Sequence, residues 1–428
     1  MKRITFFILS ILCFTACNND IDITNDIKAE EDVPQIQLVM PDAAEVQVYS
    51  TATPSECKID EIWVLVFSAD SLTLEHYEQI NGSDIITSPQ DRAVQLLPQL
   101  NVPDTKLAGN SLGTFLNGKV IVCVANTGLS TNPSSATLKP SNINATFPLP
   151  VKSSYSGGDA LPMYGAFMFS SMGGFSCEME RVVAKVQVQM GTSDPDVTGT
   201  FDANTVTYSI HNVWNSGRVV SAPSAGTSVN TTDFFLVQKD NAPQSQTHAY
   251  VYETTASNAF TVGRHHILLR AGATSYYRLD FFDGDEFLNI KRNHHYLFTI
   301  NKVRSAGYAT PAEARMYPGG NIEYSINVGD GRYATSNGQY AIVTSVDTLF
   351  VPATGTTTIT AKIMGEITAL PTTNSIAYTG GLTGPASFVA ASLAAGQSIA
   401  VASSGFSGSG SITFKAGNIT HVLPVRAQ

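Results

Sequence analysis

The run RVVAKVQVQM at residues 181–190 constrains the fold more than any other stretch of the chain. Val182, Ala184, Val186, Val188 and Met190 alternate with Lys185, Gln187 and Gln189. A period of two sends the first set to one face of an extended chain and the second set to the other. That is the pattern of a strand in a sheet with one wet side. KIDEIWVLVFSAD (58–70) and NGKVIVCVANTG (117–128) are apolar runs closed by turn chemistry, and TVTYSI (205–210) and NIEYSINV (321–328) repeat the alternation. YYRLDFFDGDEFLNI (276–290) reads as a hairpin, with Asp283-Gly284 at the positive-φ turn positions. Helical periodicity is scarce, and TPAEARMY (310–317) has room for one turn. The expected class is all-β.

The composition changes near residue 339. From there to residue 428 the only charged residues are Asp347, Lys362, Glu366, Lys415 and Arg426, among many Thr, Ser, Ala and Gly. Short strands such as DTLFVPA, TTTITAKI, GQSIAVAS, GSITFKAG and HVLPVRA follow one another between turns. Roughly 90 residues of this kind suit one small immunoglobulin-like sandwich.

The amino-terminal stretch reads as an address. Met1-Lys2-Arg3 is a positive head, and Ile4 to Phe14 is apolar apart from Thr5 and Ser10. A stable span of a bilayer needs ~20 residues, so this run is a secretory leader. Phe14-Thr15-Ala16-Cys17 looks like a lipobox, with Phe14 in place of the usual Leu. Cys17 is therefore the expected site of lipid attachment, after cleavage before it. Residues 18–32 carry six acids and one lysine and read as a solvated tether. PQIQLVMP and EVQVYSTAT follow, both with strand-like alternation. The expected organisation is a leader over 1–16, a tether over 17–32, sandwiches over 33–191 and 192–338, and the small module over 339–428.

Chemistry is hard to find. The net charge of −10 argues against nucleic acid, which needs a basic face. Beyond the leader, Cys57, Cys123 and Cys177 are too few and too scattered for a disulfide framework, and Cys123 reads as a small core residue. His265-His266 and His294-His295 are adjacent pairs, but neighbours on a strand face opposite ways and cannot share one metal ion. No HExxH, CxxC or GxSxG element occurs. Asp280, Asp283, Asp285 and Glu286 do not meet the EF-hand spacing. No metal, no cofactor and no catalytic residue is expected.

Several stretches, in order, resemble the fimbrillin superfamily, the FimA-like and Mfa-like major fimbrial subunits of the type V pili of Bacteroidales. They are the lipobox leader, IDEIWVLVFSAD, GKVIVCVANTG, LPMYGAF, MERVVAKVQV, IKRNHHYLFTI and GYATPAEA…NIEYSINV, together covering roughly residues 1–335. The resemblance implies two transthyretin-like β-sandwich domains, here followed by the immunoglobulin-like module. It also implies a non-enzymatic pilus subunit that assembles by strand exchange. A protease removes the N-terminal strand and a neighbour's strand fills the groove, a form of β-augmentation. The expected displaced strand carries Ile36, Leu38 and Met40 on one face. The family's Arg before the first core strand is missing, and between Cys17 and Arg92 only Lys28 and Lys58 could be processed. The last alternating strand, NITHVLPV, is expected to be used inside its own module, with Pro424 at a sheet edge. A subunit that accepts a strand without donating one fits an accessory or tip position. Expected partners are other pilus subunits, the outer membrane through the lipid on Cys17, and a host or bacterial surface ligand. The alternative is a non-polymerising surface lipoprotein that binds a glycan or a host protein.

Overall fold

The computed structural model describes residues 36–39, 56, 58–82, 86–87, 93–96, 100–129, 132–133, 138–155, 158–170, 175–191, 201, 205–221, 228–231, 234–237, 247–255, 264–282, 287–317, 321–328, 333–337, 340–365, 374–388 and 396–428. Cys17, Lys28, Met40, Asp283, Asp285 and Glu286 lie outside them.

The chain is all-β and built of stacked sheets. The first core lies between two of them. One is five-stranded, in the order Leu74–Asn81, Glu61–Phe67, Val120–Ala125, Met163–Met168, Glu180–Arg181. From Ile62 to Phe67 every side chain is at most 1% exposed, as expected of a central strand covered on both faces. The other sheet has four short strands, in the order Ile86–Thr87, Ala93–Leu96, Ile36–Val39, Phe175–Glu178.

The alternating run that opened the sequence reading is divided between two sheets. Glu180–Arg181 closes the five-stranded sheet, while Val183–Met190 enters a separate eight-stranded sheet. There it runs parallel to His295–Val303 and antiparallel to His248–Tyr252. Ala184, Val186 and Val188 face the second core, whereas Val182 and Val183 belong to the first. Lys185 is not on a wet face as expected. It is only 8% exposed, because residues of the first sandwich cover that side of the strand. The strand itself packs with the second sandwich and not, as expected, with the first.

The eight-stranded sheet continues from Ile322–Val328 through Tyr333–Ser336, Tyr340–Thr344 and Thr354–Gly365 to Gln397–Ser404. Tyr333–Ser336 and Tyr340–Thr344 pair in register from Tyr333↔Thr344 to Ser336↔Ala341. The composition break near 338 thus falls between two strands that pair with each other in the same sheet. Opposite its first half lies a four-stranded sheet of Phe235–Leu236, Thr207–His211, His266–Arg270 and Tyr276–Asp280. Opposite its second half lie Leu349–Val351, Ile419–Ala427, Ser409–Ala416 and Asn374–Tyr378, around a third core.

Ile419–Ala427 sits inside its sheet, with partners on both sides. Pro424 escapes conflict because the Leu349–Val351 strand pairs only with residues 425–427, so one side of Pro424 is still a local edge. Buried His421 is bonded on both nitrogens, at 2.9 Å to Thr335 Oγ1 and 3.0 Å to Thr344 Oγ1, and so ties that strand to the long sheet.

The hairpin expected at 276–290 closes with an antiparallel bridge at Phe282↔Phe287, after which Ile290 bridges to Thr254 instead. The single turn expected at 310–317 is the Pro311–Met316 helix. Thr310 and Glu313 form its capping box and Pro311 opens it.

Candidate functional site

The Ile36–Val39 strand is the element on which the first sandwich depends most unusually. It runs antiparallel to Ala93–Leu96, from Ile36↔Leu96 to Val39↔Ala93, and parallel to Phe175–Glu178, from Ile36↔Phe175 to Val39↔Glu178. Among the described residues Phe175–Glu178 is an edge strand whose one neighbour is Ile36–Val39. Without that strand, the four-stranded sheet would reduce to the pair Ile86–Thr87 and Ala93–Leu96. An isolated two-stranded pair of this length is marginal in water. Ladder hydrogen bonds contribute ~0.5–1.5 kcal/mol each, so any replacement must be an extended segment that pairs on both sides.

The seat of Phe175–Glu178 is shaped by Gly165, the glycine of LPMYGAF. A Cβ at Gly165 would lie 2.6 Å from Cys177 Sγ and 2.7 Å from the Glu178 carbonyl oxygen. Only glycine permits this close approach. Cys177 and Cys123 are both fully buried free thiols. The hydrogen bond between them, together with burial, holds the Cys123 thiol well above its ordinary range.

Chain leaving the N-terminal strand meets two restraints before the first core strand. The first is Glu56. It is 3% exposed and accepts from Lys185 Nζ at 2.8 Å and from the Tyr250 hydroxyl. Arg181 Nε donates to the Glu56 carbonyl at 3.2 Å. Burial, then the Glu56 charge, pushes the Tyr250 hydroxyl far up. His248 is pushed down to about 4 and His295 to about 3, in each case by burial first and the Lys185 charge second. At neutral pH the His248 and His295 imidazoles beside the Glu56–Lys185 pair are therefore neutral.

The second restraint is Asn126, in the left-handed region at φ 58° and at the end of VIVCVAN. Its Oδ1 accepts from Asp60 N at 2.8 Å, and its Nδ2 donates to the carbonyls of Lys58 at 2.8 Å and Leu161 at 2.7 Å. Lys58 has an exposed side chain, 2.9 Å from Asp60. Its carbonyl, however, is clamped by Asn126, and the next residue, Ile59, is 5% exposed. The bond after Lys58 is presented to a protease by the side chain and withheld by the backbone.

Behind this joint lies Arg292, from IKRNHHYLFTI. It is 5% exposed and makes a bidentate pair with Glu253, at 2.6 and 3.1 Å. It also donates to the carbonyls of Val219 and Arg218. Asn293, left-handed at φ 55°, donates its backbone N–H to Val183. Arg181, Lys185, Arg292 and Asn293 thus all act where the two sandwiches meet.

Of the expected site residues, the structure places Ile36 and Leu38 on a strand paired on both sides and Lys58 on a clamped segment. It adds Glu56, which the sequence reading did not single out. A lysine in the middle of an alternating strand was the available signal, because a buried lysine demands an anion.

No family model matches the sequence, and no curated protein matches it. Among solved structures, the chain is similar to a fimbrial assembly protein from Parabacteroides distasonis. The identity is 13% and the TM-score 0.40, over 68% of this chain and 94% of that one. It is similar to the tip fimbrial protein Mfa3 from Porphyromonas gingivalis, with 12% identity and TM-score 0.37, over 69% and 99%. It is also similar to a fimbrilin (fimA) from Porphyromonas gingivalis, with 12% identity and TM-score 0.41, over 69% and 96%.

Proposed function

We propose that the chain is a non-enzymatic structural subunit of a cell-surface pilus, of the accessory or tip type, which accepts a partner's strand in place of its own Ile36–Val39. The observation that carries this reading is the position of that strand. A segment near the amino-terminal end of the sequence forms an interior strand, and its loss leaves Phe175–Glu178 without a neighbour in the sheet. The resulting gap suits β-augmentation by an extended peptide. Gly165 keeps the seat of Phe175–Glu178 open by lacking a side chain. Ile419–Ala427, by contrast, is paired on both edges and is not a free donor. In this reading Cys17 carries the lipid that holds the subunit at the outer membrane before processing, and processing occurs at Lys28, or at Lys58 once the Asn126 clamp on its carbonyl opens.

The alternative, a non-polymerising surface lipoprotein, keeps the strand permanently. Limited trypsin digestion followed by incubation with candidate pilus subunits separates the two. Strand exchange predicts loss of the fragment preceding Ile59 and gain of a stable non-covalent complex. A fragment that stays bound and a chain that stays monomeric with every subunit would contradict it. Cys17→Ala should move the chain from the membrane fraction to the soluble one, and unchanged partitioning would remove the lipid from the account.

A further inference from the structure

The outer face of the four-stranded sheet in the second sandwich is not the usual solvated face. Strand register places Thr207, Arg270 and Tyr276 in one row, Ser209, Leu268 and Arg278 in the next, and His211, His266 and Asp280 in the third. The Pro311–Met316 helix packs against this face, and between them is a concave pocket of about 290 Å³. That is the lower end of the size range of small-ligand sites, with room for a group the size of one sugar ring.

The charge of the pocket is one-sided. Arg278 is neutralised by Asp280, with its Nε and Nη2 both 2.7 Å from the carboxylate. Arg270 and Arg315 also line the pocket, and neither pairs with a carboxylate among the described residues. Arg315 Nε is buried and makes no hydrogen bond. His211 is 4% exposed and lines the same pocket; Ser209 Oγ lies 2.8 Å from its Nε2, and the Asn230 side chain, also in the lining, bonds to the imidazole. Burial, and then the Arg315 charge, holds His211 down at about 4, so at neutral pH it offers a hydrogen bond and no charge. Two arginines without a carboxylate partner among the described residues are unusual around a pocket on a chain of net charge −10.

The rim is aromatic. Phe234 lines the pocket with 56% of its surface exposed. Beside Arg315, Tyr317 is 53% exposed and stacks on Tyr308, which itself bridges to Tyr276. Arg270 Nε donates to the Gly272 carbonyl at 3.2 Å, which leaves its charge without a carboxylate among the described residues. Exposed ring faces next to such guanidinium groups and neutral hydroxyl and imidazole groups suit a ligand with an apolar ring face, hydroxyls and one negative charge. A bare inorganic anion would leave the rings unused.

We infer that this pocket binds the carboxylate-bearing sugar unit of an acidic saccharide. Arg270 and Arg315 take the carboxylate, His211 and Ser209 meet ring hydroxyls, and Phe234 covers a sugar face. The site is independent of strand exchange, because it lies in the second sandwich.

The test is isothermal titration or saturation-transfer NMR on the full chain. The probes are glucuronate, galacturonate and N-acetylneuraminate, with glucose and inorganic phosphate as controls at matched ionic strength. At least one acidic sugar should bind saturably, and glucose and phosphate at least roughly tenfold more weakly. Arg270→Gln and Arg315→Gln should each weaken binding roughly tenfold, as expected for loss of a charge-assisted contact. Phe234→Ala should weaken it severalfold, with all three variants melting like the parent. The inference is overturned if no acidic sugar binds, if glucose or phosphate binds as well as the acids, or if neither arginine variant changes the affinity. Should a variant fail to fold, the ligand comparison on the parent chain still decides.

Discussion

Two sheets of this molecule are built on opposite plans. The eight-stranded sheet joins long strands in extended ladders, and six of its eight strands form an unbroken succession of antiparallel pairs. The four-stranded sheet of the first sandwich has strands of two to four residues. One of its two central strands arrives from the far amino-terminal side of the core. From His295–Val303 to Thr354–Gly365 the long sheet is held by neighbours that are also close in sequence. The short one is completed by a segment distant in sequence from both of its ladder partners, and among the described residues Glu56 and Asn126 hold the chain that follows it. A fold can thus keep most of itself rigid while leaving one strand separable.

The largest effect should come from breaking the long sheet. Val186 is fully buried in the second core. Val186→Asp places an unpaired charge there and should cost about 4 kcal/mol or more. Urea unfolding should show the whole second sandwich lost, with the third weakened through the shared ladder. A variant that keeps parental stability would mean the alternation of 181–190 has been misread.

Next comes the joint. Glu56→Ala strands Lys185 in a buried site and should cost about 3 kcal/mol. The loss should be concentrated in the first sandwich, as a separate early transition. The Glu56→Ala/Lys185→Met double variant should recover part of it, because the uncompensated charge is removed as well. Strictly additive losses would show that the pair is not coupled.

Acid should loosen the same joint by a smaller amount. His248 and His295 have folded pKa values of about 4 and 3, below the ordinary 6.5. Their neutral forms are favoured by folding, so that stability is complete above pH 6.5 and declines as pH falls from there towards 4 and then 3. Groups facing them include Lys185 and Glu56, and protonation adds cations beside Lys185. Replacing His248 by Gln and His295 by Asn should flatten the fall in the urea midpoint over that window. An unchanged slope would place the acid sensitivity elsewhere, for example at His421, which is also held down at about 3.

The smallest effect should be at Gln187, half-buried on the side of the strand away from the second core. Gln187→Asp should shift stability by less than about 1 kcal/mol. A loss comparable with that of Val186→Asp would mean the two faces of the strand are not distinct.

Much of the fold was readable in advance where a strand's neighbours impose a pattern. The all-apolar core run at 62–67, the alternation at 183–190 and the capped turn at 311–316 each carry their own local cause. The joint was harder to read. Glu56 stands in STATPSECK, a polar stretch with no periodicity, and its partner Lys185 looked like an ordinary wet-face residue. Burial on that face is set by the first sandwich, which no local pattern encodes. The same reason hid the pairing of Tyr333–Ser336 with Tyr340–Thr344 across the composition break, since a change in composition marks chemistry and not the end of a ladder. The arginine pocket was hidden because it exists only once three strands are in register and a helix lies across them.

The central claim is that Ile36–Val39 is separable while the rest of the molecule is not. Hydrogen exchange measured after cutting at a protease site inserted between residues 41 and 55, followed by removal of the released fragment, tests it directly. The account predicts loss of amide protection confined to Ala93–Leu96 and Phe175–Glu178, with protection from Val183 onward retained and a synthetic peptide of residues 33–42 restoring what was lost. Protection unchanged after the fragment is gone, or lost throughout the eight-stranded sheet as well, would contradict it.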